Sequence, residues 1–176
     1  DIHATLCELF DVQPRHRTHG VSLCPLLDGA GISVREWALS GVWGREVHLI
    51  ADHAKYVRAP DGENAPLSMW SNRWSTMPLH SMPDLRLPMP DDRAVLDRMP
   101  GSTIPVIRQP FRAGDVLPYW AYTEFVGTLA FDLGDDPLEQ RNLAEDKLGR
   151  ELHDMLRAAL DAVDAPDDQL TRLGFS

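Results

Sequence analysis

VREWALSGVWGREVHLIADHAKYVR, residues 34–58, carries the clearest strand signal in the chain. Trp37 and Leu39 alternate with small or polar neighbours, and Val47, Leu49 and Ala51 alternate with His48, Ile50 and Asp52. A period of two sends alternate side chains to opposite faces of a pleated strand. Lys55-Tyr56-Val57-Arg58 makes a third run. Asp52-His53 predicts a tight turn between the second and third runs, and Gly41 to Gly44 a bend between the first and second. The stretch reads as three antiparallel strands.

Working outward, Thr128 to Leu133 returns to strand character. Asp146 to Val163 predicts an amphipathic helix, with Leu148, Leu152, Met155, Leu156, Ala159, Leu160 and Val163 along one side. Pro166 lies just past its end, and the last ten residues read as a tail. Asp1 to Phe10 predicts a short helix that Asp1 caps, with Ile2, Leu6, Leu9 and Phe10 near one face. Gln13 to Gly20 is a polar loop. Val21 to Leu27 is a compact apolar stretch closing at the turn signal Asp28-Gly29.

Residues 60–127 differ from the rest. They hold ten of the fourteen prolines and three of the five tryptophans, without sustained periodicity. They read as a long Pro-rich insert packed across a scaffold, because their apolar content is too high for a disordered segment. Within them Asp91 to Met99 predicts a short helix, started by Asp91 or Asp92 and ended by Pro100-Gly101. The expected fold class is α+β: a small antiparallel sheet of three to four strands, packed by a long C-terminal helix and carrying the insert 60–127.

A net charge of −10 argues against a nucleic-acid groove and an anionic membrane surface, since both require clustered Lys and Arg. No apolar run approaches the roughly 20 residues that span a bilayer. The expectation is therefore no nucleic-acid partner and no membrane partner. No signal peptide is present, which says little where the first residue need not be a true start. The compartment is left open, with a soluble, cytoplasmic protein slightly favoured. Cys7 and Cys24 sit among leucines and read as buried thiols, although a disulfide between them remains open.

Four stretches, in order, resemble the C-terminal half of the sulfatase family. Asp1-Ile2-His3-Ala4-Thr5-Leu6 is similar to D-x-x-P-T-L, with Ala4 where proline is usual. Gly20-Val21-Ser22-Leu23-Cys24-Pro25-Leu26-Leu27 matches G-x-S-L-x-P-L-L. Lys55-Tyr56 is like a strand ending in K-Y. Phe131-Asp132-Leu133, Asp136-Pro137-Leu138-Glu139 and Asn142-Leu143 resemble [YF]-D-L-x-x-D-P-x-E-x-x-N-L. These residues also have plain architectural readings. Pro137 presets a turn, Glu139 and Asn142 bond backbone groups there, and Gly20 supplies a backbone geometry that other residues resist.

The resemblance implies a parent α/β sulfatase-like fold in the alkaline phosphatase superfamily. Residues 1–33 would then close the catalytic-domain-like region, and residues 34–176 would form the C-terminal subdomain that packs beside it. Sulfate-ester cleavage needs a nucleophile, stabilisation of charge on the sulfuryl oxygens and an acid for the leaving group. Family members use a formylglycine made from the cysteine of C-x-[PA]-x-R and a divalent cation, usually calcium. Neither Cys7 nor Cys24 has arginine four positions on. The acidic pairs Asp91-Asp92, Asp135-Asp136 and Asp167-Asp168 read as solvated caps, turns or tail. The chain by itself is thus expected to be inactive, without catalytic residues, metal ligands or cofactor. Its expected partner is an N-terminal catalytic domain, with self-association through the face that such a domain would cover. Two other readings remain: the same part of a phosphonate or phosphate ester hydrolase, and a stand-alone binding or scaffold domain.

Two groups of residues are candidates for substrate contact. Trp43 and Arg45 lie in the bend between the first two strands. Trp70, Asn72, Arg73 and Trp74 place two indoles, an amide and a cation within five residues. Indoles stack on rings, and Arg grips oxyanions through two parallel bonds. The competing reading for both groups is packing of the insert against the sheet. His16 and His19 lack further ligands at metal-binding spacing. His48 and His53 read as hairpin histidines, and His153 as solvent-facing on the terminal helix.

Overall fold

The alternation in residues 34–58 resolves into strands β1 (Ala38–Gly41), β2 (Val47–Ala51) and β3 (Ala54–Arg58), paired antiparallel in that order. Ala51 lies opposite Ala54, so Asp52-His53 forms the turn as expected. Asp52 adopts φ 49°, a left-handed conformation that its short side chain tolerates better than most. The bend between β1 and β2 turns at Gly44, with φ 76°. A Cβ there would also lie only 3.1 Å from the Ala121 methyl. We describe this computed structural model over residues 1–14, 17–30, 33–72, 94–99, 101–112, 115, 117–121 and 124–175, with the Tyr119 side chain left aside.

Four further strands belong to the insert and its flank. β4 (Leu67–Ser71), β5 (Val95–Arg98) and β6 (Pro105–Phe111) form a second antiparallel sheet in the order β4-β6-β5. β7 (Leu129–Asp132) returns to pair with β3, which completes a first sheet ordered β1-β2-β3-β7. Helix α1 (Ile2–Leu9) packs on the short helix α2 (Cys24–Leu27), while α3 (Lys147–Ala162) and α4 (Asp167–Arg172) follow the first sheet. The architecture is α+β, with two small antiparallel sheets and a C-terminal helix.

Several expectations are corrected or filled in. The insert is not without regular structure, because its described residues include the three strands of the second sheet. The helix expected at 91–99 is replaced at its centre by β5; residues 91–93 fall outside the described set. β6 offers these residues a ready ladder, and Asp97 reaches Arg108 diagonally across it at 3.7 Å. The tail contains a helix, α4. The apolar stretch 21–27 ends in a helical turn, α2.

The prolines that hide β6 from a sequence reading sit where the ladder can spare a donor. β5 covers residues 105–108 of β6 and β4 covers 107–111. Pro105 and Pro110 therefore each have a single neighbouring strand, so a missing N–H need leave no acceptor unpaired.

The core is one row of side chains beneath α3. Leu39 faces Leu49, Leu49 faces Tyr56, and Tyr56 faces Ala130 across successive strands. Leu152, Leu156, Ala159 and Leu160 of α3 cover that row, with Leu173 beside them. Full burial of each leucine contributes roughly 1.5–3 kcal/mol. Met155, expected on the same side, is exposed instead.

Gly149 is buried within the first turns of α3. A Cβ at this position would overlap the Ala144 carbonyl, which belongs to the segment leading into the helix. Intrinsic helix propensity favours alanine over glycine by about 1 kcal/mol. Steric overlap with fixed backbone outweighs it, so Gly149→Ala is expected to destabilise the fold by about 1–3 kcal/mol. Urea unfolding followed by far-UV circular dichroism measures the difference; an unchanged or higher midpoint would show that the segment at Ala144 yields easily.

Candidate functional site

The β1–β2 bend, β4 and α4 enclose a cleft of about 300 Å³. Its walls include Val42, Trp43, Leu67, Trp70, Met99 and Pro166, with Ser68, Asp168, Gln169 and Arg172 among the polar residues. Two of the expected contact residues, Trp43 and Trp70, thus come together although 27 positions separate them in the chain. Arg45 and Asn72 do not line this cleft. Asn72 is exposed just past the end of β4, and Arg73 and Trp74 lie outside the described residues.

Trp43 also joins the two sheets. Its indole N–H donates to the Ser68 carbonyl at 3.0 Å, its ring lies 5.0 Å from the Phe111 ring, and its own carbonyl accepts the Trp120 indole N–H at 3.1 Å. The packing role weighed for this tryptophan is therefore present together with its place in the cleft wall. Arg45 turns its guanidinium to Glu46 at 3.1 Å and lies 4.7 Å above the Phe125 ring.

Several residues that shape the cleft escape a sequence reading. Ser68 donates its hydroxyl to Asp168 at 2.7 Å, and Arg108 donates to the same carboxylate at 2.6 Å while lying over the Trp70 ring at 5.4 Å. Burial acts to raise the Asp168 pKa, but the Ser68 and Arg108 bonds outweigh it and hold the carboxyl below its ordinary value. The reading of Asp168 as a solvated tail acid is corrected accordingly: it ties α4 to the second sheet.

Arg172 is 2% exposed. Its guanidinium donates to Gln169 Oε1 at 3.0 Å, Asn64 Oδ1 at 2.8 Å and the Arg45 carbonyl at 3.0 Å. Asn64 in turn donates to the Gly44 carbonyl at 2.8 Å. Desolvation lowers the Arg172 pKa to about 10, with the charge of Glu46 opposing the shift. The group remains cationic at neutral pH. A leucine on each side of the Thr171-Arg172 pair, at 170 and 173, was the one available hint that this arginine is covered.

A second groove lies between the first sheet and α3, lined by Tyr56, Arg58, Thr128, Glu145, Arg150 and His153 among others. His153 does not face solvent as expected. Its Nδ1 lies 3.3 Å from the Tyr56 hydroxyl, and its ring is 4.6 Å from that of Phe175. Burial pushes the Tyr56 pKa up. Burial and the Arg58 charge push the His153 pKa down, against Asp154.

Cys7 and Cys24 are both free thiols; Cys24 is buried and Cys7 is half-buried. Gly20 is held by close approach and not by a special backbone angle, because a Cβ there would lie 3.1 Å from the Asp1 nitrogen. Among the described residues no three His, Cys, Asp or Glu side chains are placed to hold a metal ion, so the cation implied by the resemblance has no fitting ligand set here. No helix among them is long and apolar enough to cross a membrane.

Two outcomes follow from these buried polar groups. Arg172→Met should destabilise the fold by roughly 3–5 kcal/mol, because it strands several partners in a buried setting; urea unfolding checks it, and a loss under ~1 kcal/mol would mean that water replaces the guanidinium. For His153, the folded pKa lies below the unfolded value of 6.5. Its contribution is therefore complete above that value and is lost as pH falls through the window beneath it. Between about pH 7.5 and about pH 5.5 the native chain should lose more stability than His153→Gln. Equal losses in the two proteins would remove His153 as the cause.

No protein-family model matches the chain, and a search of curated proteins returns no relative.

Proposed function

We propose that this chain is the C-terminal subdomain of a sulfatase, a sulfuric ester hydrolase, and packs beside an α/β catalytic domain whose cleft it helps to close. What carries the reading is how the motif residues use their polar atoms. The Asp1 carboxylate accepts the Val21 N–H at 2.9 Å, and the Thr5 hydroxyl accepts the Leu23 N–H at 2.9 Å. Lys55 pairs with Glu139 at 2.7 Å. Asn142 accepts the N–H groups of Ala130 and Ala144 at 2.9 and 3.0 Å and donates to the Thr128 carbonyl at 3.2 Å. The first motif is therefore bonded to the second, the third to the fourth, and the fourth back to its own strand. Such bonding is what an architectural role for these residues requires.

The apolar surface of the first region fits the same reading. Ile2, Leu9, Phe10 and Leu27 are 69%, 61%, 74% and 70% exposed on α1, α2 and the residue after α1. Large apolar side chains left exposed on two packed helices suit a docking face. The occupant here would be the catalytic domain, which would supply the formylglycine, the divalent cation and the leaving-group acid. In its absence the chain should self-associate through this face.

The decisive test begins with the reading frame upstream of Asp1. A C-x-[PA]-x-R motif there, with the full product hydrolysing an aryl sulfate while the 176-residue chain does not, is the expected result. Preference of the full product for an aryl phosphate or phosphonate would move the protein to the sister hydrolases. A start codon beside Asp1 would make it a stand-alone binding or scaffold domain, and the sulfatase reading would be lost.

A further inference from the structure

The cleft between the two sheets has a chemistry of its own. Its volume of about 300 Å³ is at the small end of the range for ligand pockets. Two indoles, a leucine, a methionine and a proline form much of its wall. Several of its polar atoms are already committed inside the protein, and the Glu46 carboxylate on its wall accepts from Arg45 at 3.1 Å. Ser68 and Arg108 are bonded to Asp168, the Trp43 N–H to the Ser68 carbonyl, and the Arg172 guanidinium to Asn64, Gln169 and the Arg45 carbonyl.

We propose that this cleft is a binding site for an uncharged aromatic group of one or two fused rings. A sugar fits poorly, because hydroxyls set against the largely apolar wall would lose water without a new partner, at roughly 1–3 kcal/mol apiece. An anion fits poorly as well. The Arg172 charge is directed at three protein acceptors, and the Asp168 carboxylate stands on the same wall. A flat ring requires little of these groups. It gains by leaving water and by stacking or edge contact with Trp43 and Trp70. Arg108, over the Trp70 ring, steadies the indole against which the ligand would rest. This inference is independent of the ester-hydrolase reading, since it concerns equilibrium binding by the chain itself.

The probe is 2-naphthol, titrated into the ¹⁵N-labelled 176-residue chain and followed by the indole N–H cross-peaks. We expect saturable shifts of the Trp43 and Trp70 peaks with a Kd of about 0.1–1 mM, ordinary for a ligand of this size. Glucose and inorganic sulfate should leave both peaks in place. Trp70→Ala should weaken binding at least ~10-fold, the loss of one stacking wall. Because that variant alters a strand, Met99→Trp provides a second check: Met99 is 39% exposed at the cleft, so a larger side chain there should obstruct entry without disturbing the core. Absence of shifts with 2-naphthol, matching shifts with glucose or sulfate, or binding that survives both substitutions would each overturn the proposal. None of these results bears on sulfate-ester hydrolysis by a longer product, so the two readings fail separately.

Discussion

The buried guanidinium of Arg172 is the constraint around which the second half of the structure is arranged. A cation taken out of water is unfavourable unless its donors are met, and desolvation lowers the Arg172 pKa to about 10 against the opposing charge of Glu46. The acceptors that meet it come from three places: its own helix, the β1–β2 bend and the segment between β3 and β4. None of these can shift far without leaving the charge exposed to an apolar interior. The bend is held open at Gly44, whose carbonyl is bonded by Asn64, so a single polar cluster sets where Trp43 stands relative to β4. The cleft thus owes its shape to a group that offers little to a ligand.

A different economy governs the first sheet. There the row Leu39, Leu49, Tyr56 and Ala130 gives α3 a continuous apolar floor, and the polar residues of the chain's recognisable motifs lie at the margins. Lys55 and Glu139 clasp β3 to the turn after β7, where Glu139 itself takes φ 54°. Asp136 accepts the Arg141 N–H at 2.7 Å within that turn, and bonds from the Arg141 and Gln140 backbone hold its carboxyl below the ordinary range. Short-range polar bonds fix the turn geometry; hydrophobic burial supplies the larger share of the stability.

The parts legible in the sequence are those whose local and tertiary preferences agree. β2 and β3 alternate cleanly around Asp52-His53, and α3 repeats its leucines at helical spacing, so pattern and packing give one answer. β5 shows the opposite case. Acidic residues before it and Pro100-Gly101 after it punctuate the sequence like a helix, yet pairing with β6 decides the outcome. β6 hides behind two prolines whose tolerance depends on which neighbour is present at each position, a fact no local window contains. Trp43 and Trp70 were visible as candidates by residue type. Asp168 and Arg172 were not, because a carboxylate and a guanidinium in a polar C-terminal stretch carry no sign of burial until distant partners are placed.

The bonds made by residues 172 and 173 have a consequence for how the molecule is assembled. Arg172 reaches back 127 positions to Arg45 and 108 to Asn64, and the Leu173 carbonyl takes the Arg58 guanidinium across 115. During synthesis the first sheet's hairpin can form early from neighbours, but the latch that joins it to the rest leaves the ribosome among the last residues of this region. At about 5–20 residues per second, several seconds separate the two events. For that interval the bend at Gly44 and the backs of β2 and β3 wait uncovered, with the Arg45 carbonyl unmet and Leu49 and Tyr56 bare. The polar acceptors at Asn64 and Arg45 then hold water until the arginine arrives, which delays closure of the cleft until nearly the whole region has been made.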